Sequence, residues 1–356
     1  VSPNTGSRDK EPDKYKDNFI SLISSNVKMF FKDRIVEAGL KKAFKGNWGS
    51  QANTMKIGLV QDLNRLSWNT FMSHLRKLNL PLSDTAKVIG PRLLNSSQWG
   101  LIDPLDTPDG GNIGLHKHLA ISTHISSGTS AMNIIKWLIS NTPLQIVLEC
   151  SSDQLFYGSK MIVNGNWVGI VDNPLEVTHT LKLYRRNGLI PTYTSISFNY
   201  ETNEIHIYTD AGRLSRPIYY ITDKQASYDR PDVTKLFLDE SITWQQIVTG
   251  FKAKQSFDFK QNKLYSFPEL YPDTDISVEN KDTIISNTLR ENQSVVDYID
   301  TAEEESTLIA INQETLSKSK YYTHVEIDPS LLLGVMGNQI IYPENNPLPR
   351  NSFSCG

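Results

Sequence analysis

The sequence is poor in cysteine: its 356 residues include two, Cys150 and Cys355. That excludes a disulfide-stapled scaffold and a multi-cysteine zinc site, and it fits a reducing compartment. Long apolar runs are missing too. The best stretch, Ala131 to Ser140, is broken by Lys136 and is too short to span a bilayer. The opening Val1–Asp17 is polar and lacks the apolar segment of a signal peptide. No G-x-S-x-G elbow or P-loop occurs, and neither cysteine carries a nucleophile signature. Net charge is small: 36 Lys+Arg against 39 Asp+Glu give −3. Any nucleic-acid role must therefore rest on a local patch. These absences predict a soluble, intracellular chain without repeats or low-complexity tracts. With 38% hydrophobic residues there is material for real cores, and the length suggests two or three domains. A chain beginning on Val1 and stopping at Ser354-Cys355-Gly356 is expected to be a piece of a longer polypeptide.

What charge there is divides unevenly. From Lys28 to Lys77 ten basic residues face three acidic ones, about +7. From Ser151 to Gly356 there are 18 basic and 27 acidic residues, which is −9. A basic front suits a phosphate backbone, because cations displace its counterions whatever the base sequence. A solvated helix face with some basic bias is the plainer explanation of the same count.

Apolar spacing predicts a helix over Asp17–Phe44 and a second over Val60–Leu78, with Leu63, Leu66, Phe71, Leu75 and Leu78 inward. On that second helix Gln61, Asn64 and Arg65 would lie within about one turn of each other. Met161–Ile170 reads as a hairpin around Asn164-Gly165, and Ser195–Ile207 as another. Leu175–Asn187 reads as a helix stopped by Gly188, Arg216–Ile221 as a strand, and Tyr322–Met336 as strand-like. Thr222–Gln293 is polar and uneven, as an insertion-tolerant module would be. The class is α+β, in about three modules.

Candidate constellations are few. His116-x-His118 projects two imidazoles to one strand face, with His124 nearby, but no acidic third ligand stands at a recognisable spacing, so structural histidines are expected. Arg213 and Arg216 follow a tight turn and could hold an anion or form ion pairs. Glu303-Glu304-Glu305 reads as a solvated or structural acidic turn, since consecutive carboxylates point in different directions. The stretch Asp103-Pro104-Leu105-Asp106-Thr107-Pro108-Asp109-Gly110-Gly111-Asn112-Ile113-Gly114-Leu115 reads as a rigid loop displaying three carboxylates.

Several runs occur in a telling order: Leu63-Asn64-Arg65-Leu66-Ser67 to Ser73-His74-Leu75-Arg76-Lys77, Gly90-Pro91-Arg92, Ser97-Gln98-Trp99-Gly100, and Asp106-Thr107-Pro108-Asp109-Gly110. Further on come Val163-Asn164-Gly165-Asn166-Trp167, Thr209-Asp210-Ala211-Gly212-Arg213, Tyr298-Ile299-Asp300, Thr323-His324 and Pro349-Arg350-Asn351. In order and spacing they resemble the second-largest (β-type) subunit of multisubunit DNA-directed RNA polymerases, in the branch of eukaryotes, archaea and large DNA viruses. Asp106 and Asp109 stand where that family usually has Glu, and Leu348 where a Ser is common. These departures suggest a divergent lineage of giant-virus type.

The resemblance implies a map: 1–40 the tail of a protrusion, 41–125 a fork, 126–218 and 219–335 two external modules, and 336–356 the start of a hybrid-binding region. It implies a fork loop near Ser50–Ile57 and candidate nucleic-acid contacts at Lys56, Gln61, Asn64, Arg65, His74, Arg76 and Lys77. Asp109 would support the nucleotide side or brace the fork. It also implies Mg2+ held chiefly by the largest subunit, with that subunit, smaller subunits, template DNA, nascent RNA and nucleoside triphosphates as partners, and no membrane. A nuclear location follows for a cellular eukaryote, host cytoplasm or virion for a virus. The rival expectations are a free-standing nucleic-acid-binding or scaffold protein on the same fold, and a metal hydrolase using His116 and His118.

Overall fold

A computed structural model describes residues 19–31, 34–45, 61–80, 82, 85, 87–222, 225–250, 264–272, 281–317 and 321–356. The chain divides into two compact units, Val1–Ser67 and Trp68–Gly356, each described by itself.

The described residues of the first unit form three short helices, α1 (Phe19–Ser25), α2 (Val27–Phe30) and α3 (Ile35–Phe44), where the spacing predicts one. The break at Asn26 falls after two serines, residues whose side chains compete for the backbone. No residue of α3 is buried. The helix predicted over Val60–Leu78 is also cut back: 61–67 is irregular, and Asn64 Oδ1 accepts the Leu66 N–H at 3.0 Å in a local turn. Gln61, Asn64 and Arg65 therefore do not share a helix face, and Leu66 is exposed rather than inward.

In the second unit α4 (Trp68–Leu75) runs directly into β1 (Lys77–Asn79), which pairs antiparallel with β2 (His116–His118). The strand β3 (His124–Ile125) follows. Next comes a layered module of α5 (Ala131–Asn141), β4 (Gln145–Ile146), α6 (Ser152–Tyr157), β5 (Ser159–Val163), β6 (Asn166–Val171), α7 (Pro174–Arg186), β7 (Ser195–Asn199) and β8 (Glu204–Tyr208). Its sheet has the order β4-β6-β5-β8-β7, with β5 and β8 parallel. The β5–β6 turn is Asn164-Gly165, both at positive φ (47° and 83°), as a two-residue turn between twisted strands requires. The residues α5 and α7 bury on this sheet include Ile134, Leu138, Leu181, Met161, Ile205 and Ile207. Pro174 begins α7 and Gly188, at φ 73°, follows its end, close to the predicted bounds.

The remainder winds around β9 (Leu214–Thr222), followed by β10 (Gln225–Ala226), α8 (Pro231–Leu238), α9 (Trp244–Thr249), α10 (Phe267–Leu270) and α11 (Lys281–Asn292). Then come β11 (Val296–Asp300), α12 (Thr301–Glu304), β12 (Ile309–Ala310), α13 (Gln313–Leu316), β13 (His324–Val325) and α14 (Leu348–Cys355). Tyr219 pairs with both Val296 and Val325, so β11 and β13 flank β9 on opposite edges. The strand predicted over Tyr322–Met336 is limited to the two residues of β13. Asp328 caps the Ser330 N–H and Pro329 opens a 3-10 turn. The fold is α+β with mixed sheets. Among the described residues no helix is long and apolar enough to cross a membrane.

A buried ion network locks α7 and β9 to β11, α12 and β13. Arg185 forks onto Glu303 (2.7 and 2.9 Å), and Lys182 reaches the same carboxylate at 3.1 Å. Arg186 binds Asp297 at 2.7 Å and lies 3.5 Å over the Tyr220 ring. Arg213 holds Asp300 at 2.9 Å, and Arg216 joins Glu326 (2.7 Å) to Glu304 (2.8 Å). The predicted acidic turn is thus structural: Glu303 and Glu304 are buried on separate arginines, and only Glu305 is exposed. Arg213 and Arg216 are likewise engaged in ion pairs. Removing one member of a buried pair leaves an uncompensated charge, so Arg185→Met is expected to lower stability by about 3–5 kcal/mol, and Arg185→Met with Glu303→Leu by clearly less. Urea unfolding midpoints check both.

Acid acts on the same network through opposing groups. Burial pushes His324 down to about 3 from 6.5, so below 6.5 the unfolded chain binds a proton that the native one refuses. Burial would raise Glu303, but Arg185 and Lys182 draw it down to about 2; Asp297 is lowered similarly by Arg186 and Arg185. Their contribution is present above the ordinary carboxylate range and is lost as pH falls through it. Glu304 behaves oppositely: burial, with Glu326 and Asp300 beside it, outweighs Arg216 and raises it from 4.5 to about 7. Between 4.5 and 6.5 the native chain gains a proton at Glu304 while the unfolded chain gains one at His324, and the two effects cancel. The network's contribution to stability is therefore expected to stay level from pH 6.5 to 4.5 and to fall steeply below. In Glu304→Gln the fall should begin near 6.5, the ordinary histidine value. Unfolding midpoints across that range are the check.

Candidate nucleic-acid interface

The predicted contacts divide between the two units. Gln61, Asn64 and Arg65 are exposed and belong to the first; Lys56 lies outside the described residues, as does the predicted fork loop at 50–57. His74, Arg76 and Lys77 belong to the second, at the junction of α4 and β1. His74, in the last turn of α4, is half-buried. Lys77 opens β1 and pairs in register with His118.

Arg76 turns inward. Its Nη2 donates to the carbonyls of Ala120 (2.6 Å), Thr123 (3.3 Å) and Ile121 (3.4 Å), and its own carbonyl accepts the Leu119 N–H. Burial lowers its pKa from the usual guanidinium value. The side chain expected on nucleic acid is thus committed to tying α4 to the chain between β2 and β3.

The loop 103–115 is rigid for reasons only partly visible in its prolines. Asp103 and Asp106 are buried rather than displayed, and Asp109 alone of the three carboxylates is exposed. Asp103 accepts the N–H groups of Leu105 (2.9 Å) and Gly334 (2.8 Å). The absent side chain of Gly337 makes room for that carboxylate, since a Cβ there would meet Asp103 Oδ2 at 2.5 Å. Asp106 Oδ1 stands 3.1 Å from His118 Nδ1; burial raises its pKa, against the pull of His118. Arg92 Nη1 donates to the carbonyls of Gly111 (2.6 Å) and Ile113 (3.0 Å), and Thr107 Oγ1 accepts the Gly114 N–H. Gly114 adopts φ 73°, where a Cβ would also sit 2.5 Å from the Arg92 carbonyl. Asp109 precedes the Gly110–Asn112 turn, and its side chain caps no N–H there.

The histidines serve this same framework. His116 Nδ1 lies 2.6 Å from Asn79 Oδ1, and burial with Lys77 nearby lowers its pKa. Among the described residues no cluster of three or more His, Cys, Asp or Glu could hold a metal ion. Sequence reasoning noted Arg92 and Gly114 as positions in motifs but gave neither a role; two inward acids, a glycine and a distant arginine are linked only by the folded loop.

Comparison with known proteins covers the same ground. Residues 61–125 match the family model "RNA polymerase Rpb2, domain 3", residues 161–222 match domain 4 and residues 288–329 match domain 5. DNA-directed RNA polymerase II subunit RPB2 of Eremothecium gossypii is 32% identical over 92% of this chain and 27% of its own length. The corresponding subunit of Encephalitozoon cuniculi is 31% identical over 92% of the chain and 26% of its length. DNA-directed RNA polymerase subunit 2 of Acanthamoeba polyphaga mimivirus is 29% identical, with the same coverage of 92% and 26%. The chain spans about a quarter of the length of these curated relatives. Three successive domain matches in chain order, on a fold whose braces join the matched segments, identify it: the chain belongs to the family of second-largest subunits of multisubunit DNA-directed RNA polymerases and corresponds to their central part.

Proposed function

We propose that this chain works inside an assembled DNA-directed RNA polymerase, where it holds the RNA–DNA hybrid and the DNA fork during templated RNA synthesis. The observation that supports this most directly is the placement of the exposed Gln61, Asn64 and Arg65 at the head of the segment matching domain 3, just before the α4–β1 junction that carries His74 and Lys77. Arg can fork onto a phosphate, and neutral Gln, Asn and His side chains donate to phosphate or sugar, contacts that position a strand without reading its sequence. Lys56 joins this set on charge and position in the sequence. Arg76 fixes the α4–β1 junction to the chain that follows β2.

The division of labour follows from chemistry. Nucleotidyl transfer uses two metal ions to stabilise the attacking and leaving oxygens. The Mg2+ ligands are contributed chiefly by the largest subunit, and the loop 103–115 supports the nucleotide side through its one exposed carboxylate, Asp109. The ranges 1–40, 41–125, 126–218, 219–335 and 336–356 correspond to protrusion tail, fork, two external modules and the start of the hybrid-binding region. The strand β9 crosses the 218/219 boundary, so the two external modules share a sheet. A nuclear location, or host cytoplasm or virion for a virus, goes with this role.

The test is made in the assembled polymerase. Arg65→Ala is expected to weaken retention of the hybrid on every template alike and to lower the log–log salt slope of dissociation by about 0.7–0.9, one phosphate contact. Arg76→Ala is expected to lower the unfolding midpoint instead, because it removes the guanidinium from three carbonyls, of which that of Ala120 keeps only the Thr123 N–H. An unchanged salt slope in Arg65→Ala would remove that residue from the hybrid path. Templated synthesis by the 356-residue chain alone would overturn the division of labour.

A further inference from the structure

The face of the β7–β8 hairpin turned away from the core carries an arrangement that hybrid binding does not use. Register sets Ser197 opposite His206 and Ser195 opposite Tyr208 on that face, while Ile196, Ile205 and Ile207 point into the core. The segment around α12 packs on β7, and between them opens a cleft of about 570 Å³. His206 and Tyr208 line it with rings stacked 6.0 Å apart and 7° from parallel. Tyr200, 70% exposed, stands at its rim. Glu201 and Glu305 complete the lining; both are exposed, and neither carboxylate has an ion-pair partner among the described residues.

The neighbouring part of the same face shows what such a set attracts. Lys160 Nζ lies 5.7 Å from the centre of the Trp167 ring and 3.2 Å from Glu204 Oε1, a cation held between a ring and a carboxylate. The cleft repeats that combination without a cation. Phosphate is disfavoured there, because Glu201 and Glu305 line the opening and the chain from 151 onward carries −9. A guanidinium suits the site better than an ammonium, since it stacks on rings and forks onto carboxylates at once.

We propose that this cleft binds an arginine-bearing segment of a partner polypeptide, its guanidinium on the His206–Tyr208 stack and its charge met by Glu201 and Glu305. The experiment titrates a fluorescent tetra-arginine peptide into the 356-residue chain at low salt and follows the His206 and Tyr208 ring signals by NMR. Binding is expected to shift both rings, and Glu201→Gln with Glu305→Gln should weaken it at least tenfold. Tyr200→Ala should weaken it severalfold. As a charge-matched control, Glu314→Gln with Glu344→Gln, both exposed and outside the cleft, should leave affinity within about twofold. All substituted side chains are exposed, so unchanged urea midpoints confirm that every variant is folded. Equal losses in the two double variants would overturn the proposal in favour of general attraction to an acidic surface. Failure of the peptide to bind, or an oligouridylate shifting the two rings in its place, would also overturn it.

Discussion

The seating of β11, α12 and β13 against α7 and β9 depends on a set of buried charges that must find one another. Lys182, Arg185, Arg186, Arg213 and Arg216 lie in the segment matching domain 4; Asp297, Asp300, Glu303, Glu304 and Glu326 lie in the segment matching domain 5. Five cations meet five anions, and His324 beside them is kept neutral by burial. In a medium of low polarity an unmatched ion is far costlier than a matched one, so the network disfavours any arrangement that separates the segments. Folding thus fixes where β11, α12 and β13 sit on β9, whatever the intervening residues contribute. A network of this kind is weak as a source of stability and strong as a constraint on register, because each fork fits one carboxylate geometry.

The parts of the fold legible in the sequence are those decided locally. Asn164-Gly165 declares its turn because few residues tolerate two successive positive φ angles, and Pro174 with Gly188 declares both ends of α7. The failures have a common cause. Apolar spacing over Val60–Leu78 suits a helix, yet Asn64 offers Leu66 a competing hydrogen bond and Lys77 is drawn into a strand by its partner His118. Nothing near Lys77 announces that partner, which stands 41 residues away. The same holds for Glu303 and Glu304, whose arginines are 118 and 88 residues distant.

The candidate site was legible as a family pattern and much less so as geometry. Its motifs fall in the segment matching domain 3, but they do not distinguish an exposed side chain from one that holds the loop together. Arg76 and Arg65 look equivalent in the sequence; one is spent on three carbonyls and the other stands exposed. Asp103, Asp106 and Asp109 look equivalent too, and two of the three are internal acceptors. An irregular loop holds a fixed geometry only when its polar groups are consumed internally.

The electrostatic consequence reaches beyond the network. Counted as formal charges, its five cations and five anions cancel, so the −9 of residues 151–356 is carried by the other 13 basic and 22 acidic residues. The interior is neutral, and the surplus belongs to groups outside it. A front of about +7 can run with a phosphate backbone, whereas a rear of −9 repels one and draws cationic chains. The two ends of the sequence are therefore suited to opposite partners, and the burial of matched pairs is what allows a chain of net −3 to present both.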